Sequence, residues 1–144
     1  MNMSPETIAL DSDHIKEILD LEKLSFGEYH WNESQLTGHL NHHFGLGIKY
    51  ENKPIGYLLY SENEWEIEVF RIGITNDLRR SGLGSILIDI LKQKQKKIYL
   101  EVNEENLPAR NFYTKHNFRE IGKRKGYYSE SGNSILLLYI PETA

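Results

Sequence analysis

The sequence predicts a mixed α+β fold: one sheet of about seven strands with helices on both faces. Three observations predict it. Strand-like segments follow one another without a helix from residue 44 to residue 74, the pattern of an antiparallel meander. Residues 67 to 102 then read strand, amphipathic helix, strand, the pattern of one parallel crossover. The 144 residues contain no internal repeat, low-complexity segment or linker-like shift in composition, so a single domain over residues 1–144 is expected. A chain of this length buries roughly 70% of the surface its unfolded form exposes, enough for a proper core.

Each element has its own reason. "ETIAL" reads as a short strand. In "DSDHIKEILDLEKLSF", Ile15, Ile18 and Leu19 fall at helical spacing, with Asp11 or Asp13 as the N-cap. "WNESQLTGHL" reads as a second helix. Asn32 and Gln35 have capping-box spacing, and Trp31 and Leu36 stand where a hydrophobic staple would stand. "FGLGIKYENKPIGYLLYSE" is two strands about a turn at Glu51-Asn52-Lys53. In "EWEIEVFRIGI", Trp65, Ile67 and Val69 alternate with Glu66 and Glu68, as in a strand with one wet face.

A helix over residues 83 to 96 follows, with Leu83, Ile86, Leu87, Ile90 and Leu91 in one stripe. "KKIYLEVN" is a strand. "NLPARNFYTKHNF" is a short helix with Asn106 as N-cap, Pro108 in its first turn and Asn117 closing it in a left-handed conformation. "FREIGKRKGYY" and "SILLLYI" are strands joined by the turn-rich "SESGNS".

Composition narrows the function classes. A net charge of −4 argues against non-specific binding of nucleic acid or membranes by bulk charge. With no cysteine, disulfides, thiol nucleophiles and Cys-based zinc sites are excluded. "MNMSPETIAL" lacks the form of a signal peptide, and no apolar run approaches 18 residues. A cytoplasmic protein is the expectation. His39, His42 and His43 form no H-E-x-x-H pattern and read as a surface helix end, so no metal is expected. No Gly-x-Ser-x-Gly elbow is present, which disfavours a serine hydrolase.

The most informative stretch is "RIGITNDLRRSGLGSILIDIL", residues 71 to 91. A strand leads through a loop into a helix, whose first free N–H groups carry partial positive charge. Gly82 and Gly84 leave room for an approaching ligand, and Arg79 and Arg80 add fixed charge. These features suit a phosphate or pyrophosphate. They equally suit an ordinary glycine-containing helix start with two solvated arginines. The P-loop pattern is absent, and the third glycine of a dinucleotide fingerprint is replaced by Leu87.

Arg79-Arg80-Ser81-Gly82-Leu83-Gly84 resembles the R/Q-x-x-G-x-G/A signature of the GNAT superfamily of acetyl-CoA-dependent N-acetyltransferases. "IYLEVNEENLPARNFYTKHNF" and "KRKGYYSESGNSILLLYI" follow in that superfamily's order and spacing, so the resemblance covers essentially the whole chain. "WNESQL" is similar to the RimI branch, which acetylates the N-terminal alanine of a small-subunit ribosomal protein. Asn117 stands where the family usually has Gly.

The resemblance implies a GNAT fold in which two parallel strands splay and acetyl-CoA, the cosubstrate, wedges between them. It implies that the main chain of Ile72, Gly73 and Ile74 pairs with the pantetheine arm. The loop of Arg79, Arg80, Ser81, Gly82, Leu83, Gly84 and Ser85 would wrap the pyrophosphate, and Asn106 would contact the cofactor beyond it. The implied acceptor is a protein or peptide N-terminus, that of a ribosomal protein, with no direct nucleic-acid or membrane partner.

Transfer from a thioester to an amine needs a neutral amine and a proton for the departing thiolate. An α-amine with a pKa of about 7.7–8.0 is roughly 10–15% neutral at pH 7; a lysine amine near 10.4 is about 0.04% neutral. By the resemblance, Glu101 is the general base, directly or through water, and Tyr113 the acid. Read from the residues alone, Glu101 is equally a strand-end carboxylate, and Tyr113 a core aromatic at helical spacing from Ala109. Glu66 and Glu68 are rivals for the base, because other GNAT enzymes use a carboxylate on the preceding strand. Tyr127 and Tyr128 would flank the peptide groove or pack a strand end, and Trp31 would be a staple or a groove wall. The alternatives in function are a GNAT enzyme for lysine side chains or small amines, and a catalytically inactive acyl-CoA-binding protein.

Overall fold

The structure, a computed structural model, describes residues 5–75, 82–124 and 132–142. Its elements run β1 (Glu6–Ala9), α1 (Ile15–Phe26), α2 (Glu33–His42), β2 (Phe44–Tyr50), β3 (Lys53–Glu62), β4 (Glu66–Ile74), α3 (Leu83–Lys92), β5 (Lys97–Asn103), α4 (Leu107–Lys115), β6 (Arg119–Arg124) and β7 (Ser134–Tyr139). Short 3-10 turns, Ser12–His14 and Gly27–Tyr29, precede and follow α1. The seven strands form one sheet in the order β1-β2-β3-β4-β5-β7-β6. All neighbours are antiparallel except β4 and β5. Among the described residues, no helix is long and apolar enough to cross a membrane.

Local chemistry sets the element ends. Asp11, not Asp13, caps the first helical turn, and its side chain accepts from the Asp13 N–H. Asn32 and Gln35 form the capping box on α2, each side chain taking the other's backbone N–H at 2.8 Å. Trp31 and Leu36 meet in the same apolar cluster, as a staple requires. Glu51 and Asn52, both at positive φ, make the two-residue hairpin between β2 and β3; Lys53 already belongs to the strand. Asn117 adopts φ 67° after α4, where Asn tolerates the left-handed region. The helix expected over residues 83 to 96 stops at Lys92, and Gln95 turns left-handed.

The sheet divides two cores. Leu83, Leu87, Ile88 and Leu91 of α3 cover one face, over Ile48, Leu58, Ile67, Ile98 and Leu100, with Tyr113 and Phe118 beside them. Ile15, Ile18 and Leu21 of α1 and Leu36 of α2 cover the other, over Tyr57 and Leu59. β3 lies between both and is buried from Ile55 to Tyr60, hence its nearly continuous apolar run.

A bulge in β4 breaks the simple alternation. Leu59 pairs with Arg71 and Tyr60 with Val69, which leaves Phe70 as the extra residue. Ile67 and Val69 before the bulge and Ile72 and Ile74 after it all pack toward the α3 face. Phe70 and Arg71 both turn to the α1–α2 face, Phe70 against Trp31 and His39, Arg71 against Phe26. Trp65, expected in the buried register of this strand, precedes it in a turn and is 73% exposed.

Candidate active site

β4 and β5 pair over only three residues each: Glu66 with Lys97, Ile67 with Ile98, Glu68 with Tyr99. Beyond them each strand keeps its outer partner. β4 follows β3 to Ile74 and β5 follows β7 to Asn103. The inner edges of residues 69–74 and 100–103 therefore part. The bulge at Phe70 begins where the ladder ends, and a bulge bends its strand and increases its twist.

The parting opens a cleft of about 660 Å³. Val69, Phe70, Arg71 and Ile72 line it from β4, and Leu100, Glu101, Val102 and Asn103 from β5. Asn106, Ala109 and Tyr113 of the α4 segment close one side, and Phe26 and Tyr29 another. A second cleft of about 470 Å³ lies among Glu66, Glu68, Tyr99, Arg124 and Leu136. The two clefts share Leu100 and Glu101.

Glu101 stands at that junction with both carboxylate oxygens engaged. Arg124 Nη2 lies 2.9 Å from Oε1, and the Ser134 hydroxyl donates to Oε2 at 3.0 Å. Glu68 is on the same cleft. Partial burial, then the charges of Glu101 and Glu66, hold its carboxyl above the usual range, while His43 and Arg124 act in the opposite sense. Tyr113 is buried, edge-on to the Phe112 and Phe118 rings. Burial pushes its phenol well above its ordinary pKa, so it stays protonated at neutral pH. α4 is fixed at its start by the Asn106 side chain, which accepts the Ala109 N–H at 3.2 Å.

The two glycines at the start of α3 differ in their surroundings. Gly82 has φ 89°, and nothing would meet a Cβ there. The N–H groups of Leu83, Gly84 and Ser85 are the first of the helix; the Ile86 N–H is already bonded to Gly82 O. A Cβ on Gly84, by contrast, would meet the Phe112 ring at 3.1 Å, so this glycine serves the packing of α3 on α4. The Leu83 side chain is buried in the core. Gly73 also has a packing reason, since a Cβ would fall 2.5 Å from Tyr57 Cε1 and 2.7 Å from Ser25 Oγ. Arg79, Arg80, Ser81, Tyr127 and Tyr128 lie outside the described residues. Trp31 lines neither cleft; it packs behind Phe70, which does.

Sequence reasoning missed a buried ionic network beside the cleft. Glu22 is fully buried on α1. Its Oε1 accepts from Arg71 Nε at 2.8 Å, from Arg71 Nη2 and from the Trp31 N–H at 2.9 Å; its Oε2 accepts from the Tyr57 hydroxyl. Arg71 also donates to Tyr29 O at 3.1 Å and stacks 3.7 Å above the Phe26 ring. The network thus ties the segment after α1 to the bulge of β4. A signal was available: Glu22 continues the stripe of Ile15 and Ile18 at helical spacing, a carboxylate where an apolar residue belongs.

The site is thus a mixed sheet whose two parallel strands part beyond a short ladder, with a buried tyrosine lining the cleft between them. Residues 12–118 match the acetyltransferase (GNAT) family, and the chain belongs to it. It is 27% identical over 106 residues to the N-alpha-acetyltransferase of Saccharolobus solfataricus, covering 60% of this chain and 63% of that protein. It is 34% identical over 93 residues to N-alpha-acetyltransferase 20 of Dictyostelium discoideum, covering 58% and 54%. The chain thus spans between about half and just under two-thirds of the length of these curated relatives. In fold it resembles the ribosomal-protein-S18-alanine N-acetyltransferase from Escherichia coli, with a TM-score of 0.87, 20% identity, and coverage of 98% of this chain and 97% of that one.

Proposed function

We propose that this chain transfers an acetyl group from acetyl-CoA to the α-amine of a protein N-terminus, and that the acceptor is the N-terminal alanine of a small-subunit ribosomal protein. The observation that carries the reading is the pair of clefts that meet at Leu100 and Glu101, one suited to a donor and one to an acceptor. N-terminal acetylation is the activity of the relatives named above, and the net charge of −4 suits a basic tail.

The residues present fit the donor. The inner edge of β4 carries backbone groups that β5 does not use, so the main chain of Ile72, Gly73 and Ile74 can hold an extended amide-bearing arm. The turn of Gly82 into α3 suits a pyrophosphate, which Arg79, Arg80 and Ser81 would help hold. When bound, acetyl-CoA supplies an activated acyl group with a thiolate leaving group.

The chain's own groups then have three tasks. Glu101, fixed by Arg124 and Ser134, faces both clefts and takes the proton that the amine loses as its nitrogen bonds to the acyl carbon. Tyr113, protonated at neutral pH, gives its proton to sulfur as the carbon–sulfur bond breaks, and recovers one from solvent. Glu66 and Glu68 hold a cationic N-terminus near the junction. A second reading makes Glu68 the base, because its proton affinity is raised while both Glu101 oxygens are engaged. Glu101→Gln and Glu68→Gln pH–rate profiles separate the two: loss of the acidic limb identifies the base.

The acceptor is tested with peptides carrying a free alanine N-terminus, the same peptides blocked at the N-terminus, and internal-lysine peptides. Acetylation of the free N-terminus alone is expected. Acetyl groups found only on lysine would reject the N-terminal reading.

A further inference from the structure

The first turn of α3 makes a contact that the reaction as described does not use. Ser85 Oγ lies 2.8 Å from His116 Nε2, at the end of α4. The other ring nitrogen, Nδ1, faces Asp89 Oδ1 at 3.8 Å. Phe112, which fills the space left by Gly84, packs against the same imidazole, with centroids 4.8 Å apart. The ring is thus held between two groups of α3.

Hydrogen-bond bookkeeping decides what this pair can offer an anion. The Asp89 carboxylate on the Nδ1 side favours the neutral tautomer with its proton on Nδ1, and Nε2 then accepts a hydrogen bond from the Ser85 hydroxyl. The hydroxyl then presents only lone pairs to an incoming phosphate, which repel it. In the protonated ring Nε2–H donates to Ser85 Oγ. The hydroxyl proton is freed for the phosphate, and a cation stands behind it.

We propose that His116 is a proton-linked part of the donor's phosphate site: an anion arriving at the start of α3 draws a proton onto His116, and Ser85 changes from donating to the ring to donating to the anion. This rests on the reading of that helix start as the pyrophosphate site. Among the described residues, the charged groups facing the ring are Asp89 and Lys92 of α3. Burial first, and then Lys92, hold the free ring below its ordinary pKa, against Asp89, which favours its neutral form before the anion arrives.

The sign follows. An anion raises the pKa of His116 in the complex. The extra affinity is complete below the free-protein pKa and is lost as pH rises through the pKa of the complex. Each unit of rise is worth up to about tenfold in affinity.

The probe is dephospho-CoA, which keeps the pyrophosphate but lacks the 3′-monoester, whose own second ionisation near pH 6 would confuse the count. Calorimetry at pH 6 to 7.5, in buffers of different ionisation enthalpy, is expected to show net proton uptake on binding and affinity that weakens with pH. In His116→Gln the uptake is expected to vanish and the affinity to become nearly pH-independent. In Ser85→Ala the affinity is expected to fall several-fold at pH 6. Equal uptake in His116→Gln, or none in the parent, overturns the proposal while leaving the donor site intact. Failure of the parent to bind dephospho-CoA overturns the donor reading and this proposal with it. Ring-nitrogen NMR of the unaltered protein gives a readout free of folding effects: the His116 pKa must rise on binding, and a fixed pKa refutes the linkage.

Discussion

Replacing Arg71 by Met removes the cation of the Glu22 network and leaves its carboxylate buried. Glu22 has no exposed surface, and Arg71 supplies two of the four hydrogen bonds that reach it. The Trp31 N–H and the Tyr57 hydroxyl remain, neither of them a charge. Breaking a buried ion pair by removing one partner costs about 3–5 kcal/mol, because the survivor is uncompensated. Methionine keeps part of the packing on Phe26, so the packing loss is small by comparison.

An unfolding entropy of about 2.1 cal/mol/K per residue gives roughly 0.3 kcal/mol/K for a chain of this length. The melting temperature is then expected to fall by about 10–16 °C, read by circular dichroism at pH 7. Adding Glu22→Gln removes the stranded charge. The amide oxygen still accepts from Trp31, and its NH₂ can donate to the Tyr57 oxygen, so the double variant is expected to recover at least half of the loss. An Arg71→Met protein that melts within 3 °C of the parent, or a double variant that melts lower than Arg71→Met alone, would refute the reasoning.

Three further outcomes are expected. Gly73→Ala places a methyl against the buried Tyr57 ring, which its hydroxyl anchors to Glu22, so overpacking of about 1–3 kcal/mol should appear as a lower melting temperature; a neutral result would mean that the ring moves freely. Tyr113→Phe should lower kcat with little change in CoA affinity, toward the low end of the roughly 10²–10⁴-fold range of acid–base groups because thiolate leaves readily, and a fully active variant removes Tyr113 from the mechanism. Glu101→Gln should lower kcat/KM most near neutral pH and recover partly at high pH, where the amine is already neutral; an unchanged profile would transfer the base to Glu68.

Periodicity and punctuation were enough to read the order of the elements. The β3 run, the α3 stripe, the Asn32–Gln35 box and the left-handed Asn117 each depend on residues within a few positions of one another, and such interactions are written locally in the chain. The glycine loop and "LEVN" stand out in the chain as a candidate site, the loop because small residues at a helix start leave its N–H groups open to an anion.

Other features arise only when distant segments meet. The bulge at Phe70 follows from pairing β4 with β3, and it alone puts Arg71 rather than Ile72 beneath α1. Glu22, 49 residues from Arg71, interrupts an apolar stripe, and only the fold brings the guanidinium and the Tyr57 hydroxyl to it. Gly84 reads in the chain as room for a ligand, whereas the α4 packing assigns that space to the Phe112 ring. Local propensity acts over one turn or one hairpin. Burial of a charge, a bulge in a ladder and the engaged oxygens of Glu101 depend on which surfaces the folded chain presses together, and tertiary contact decides those.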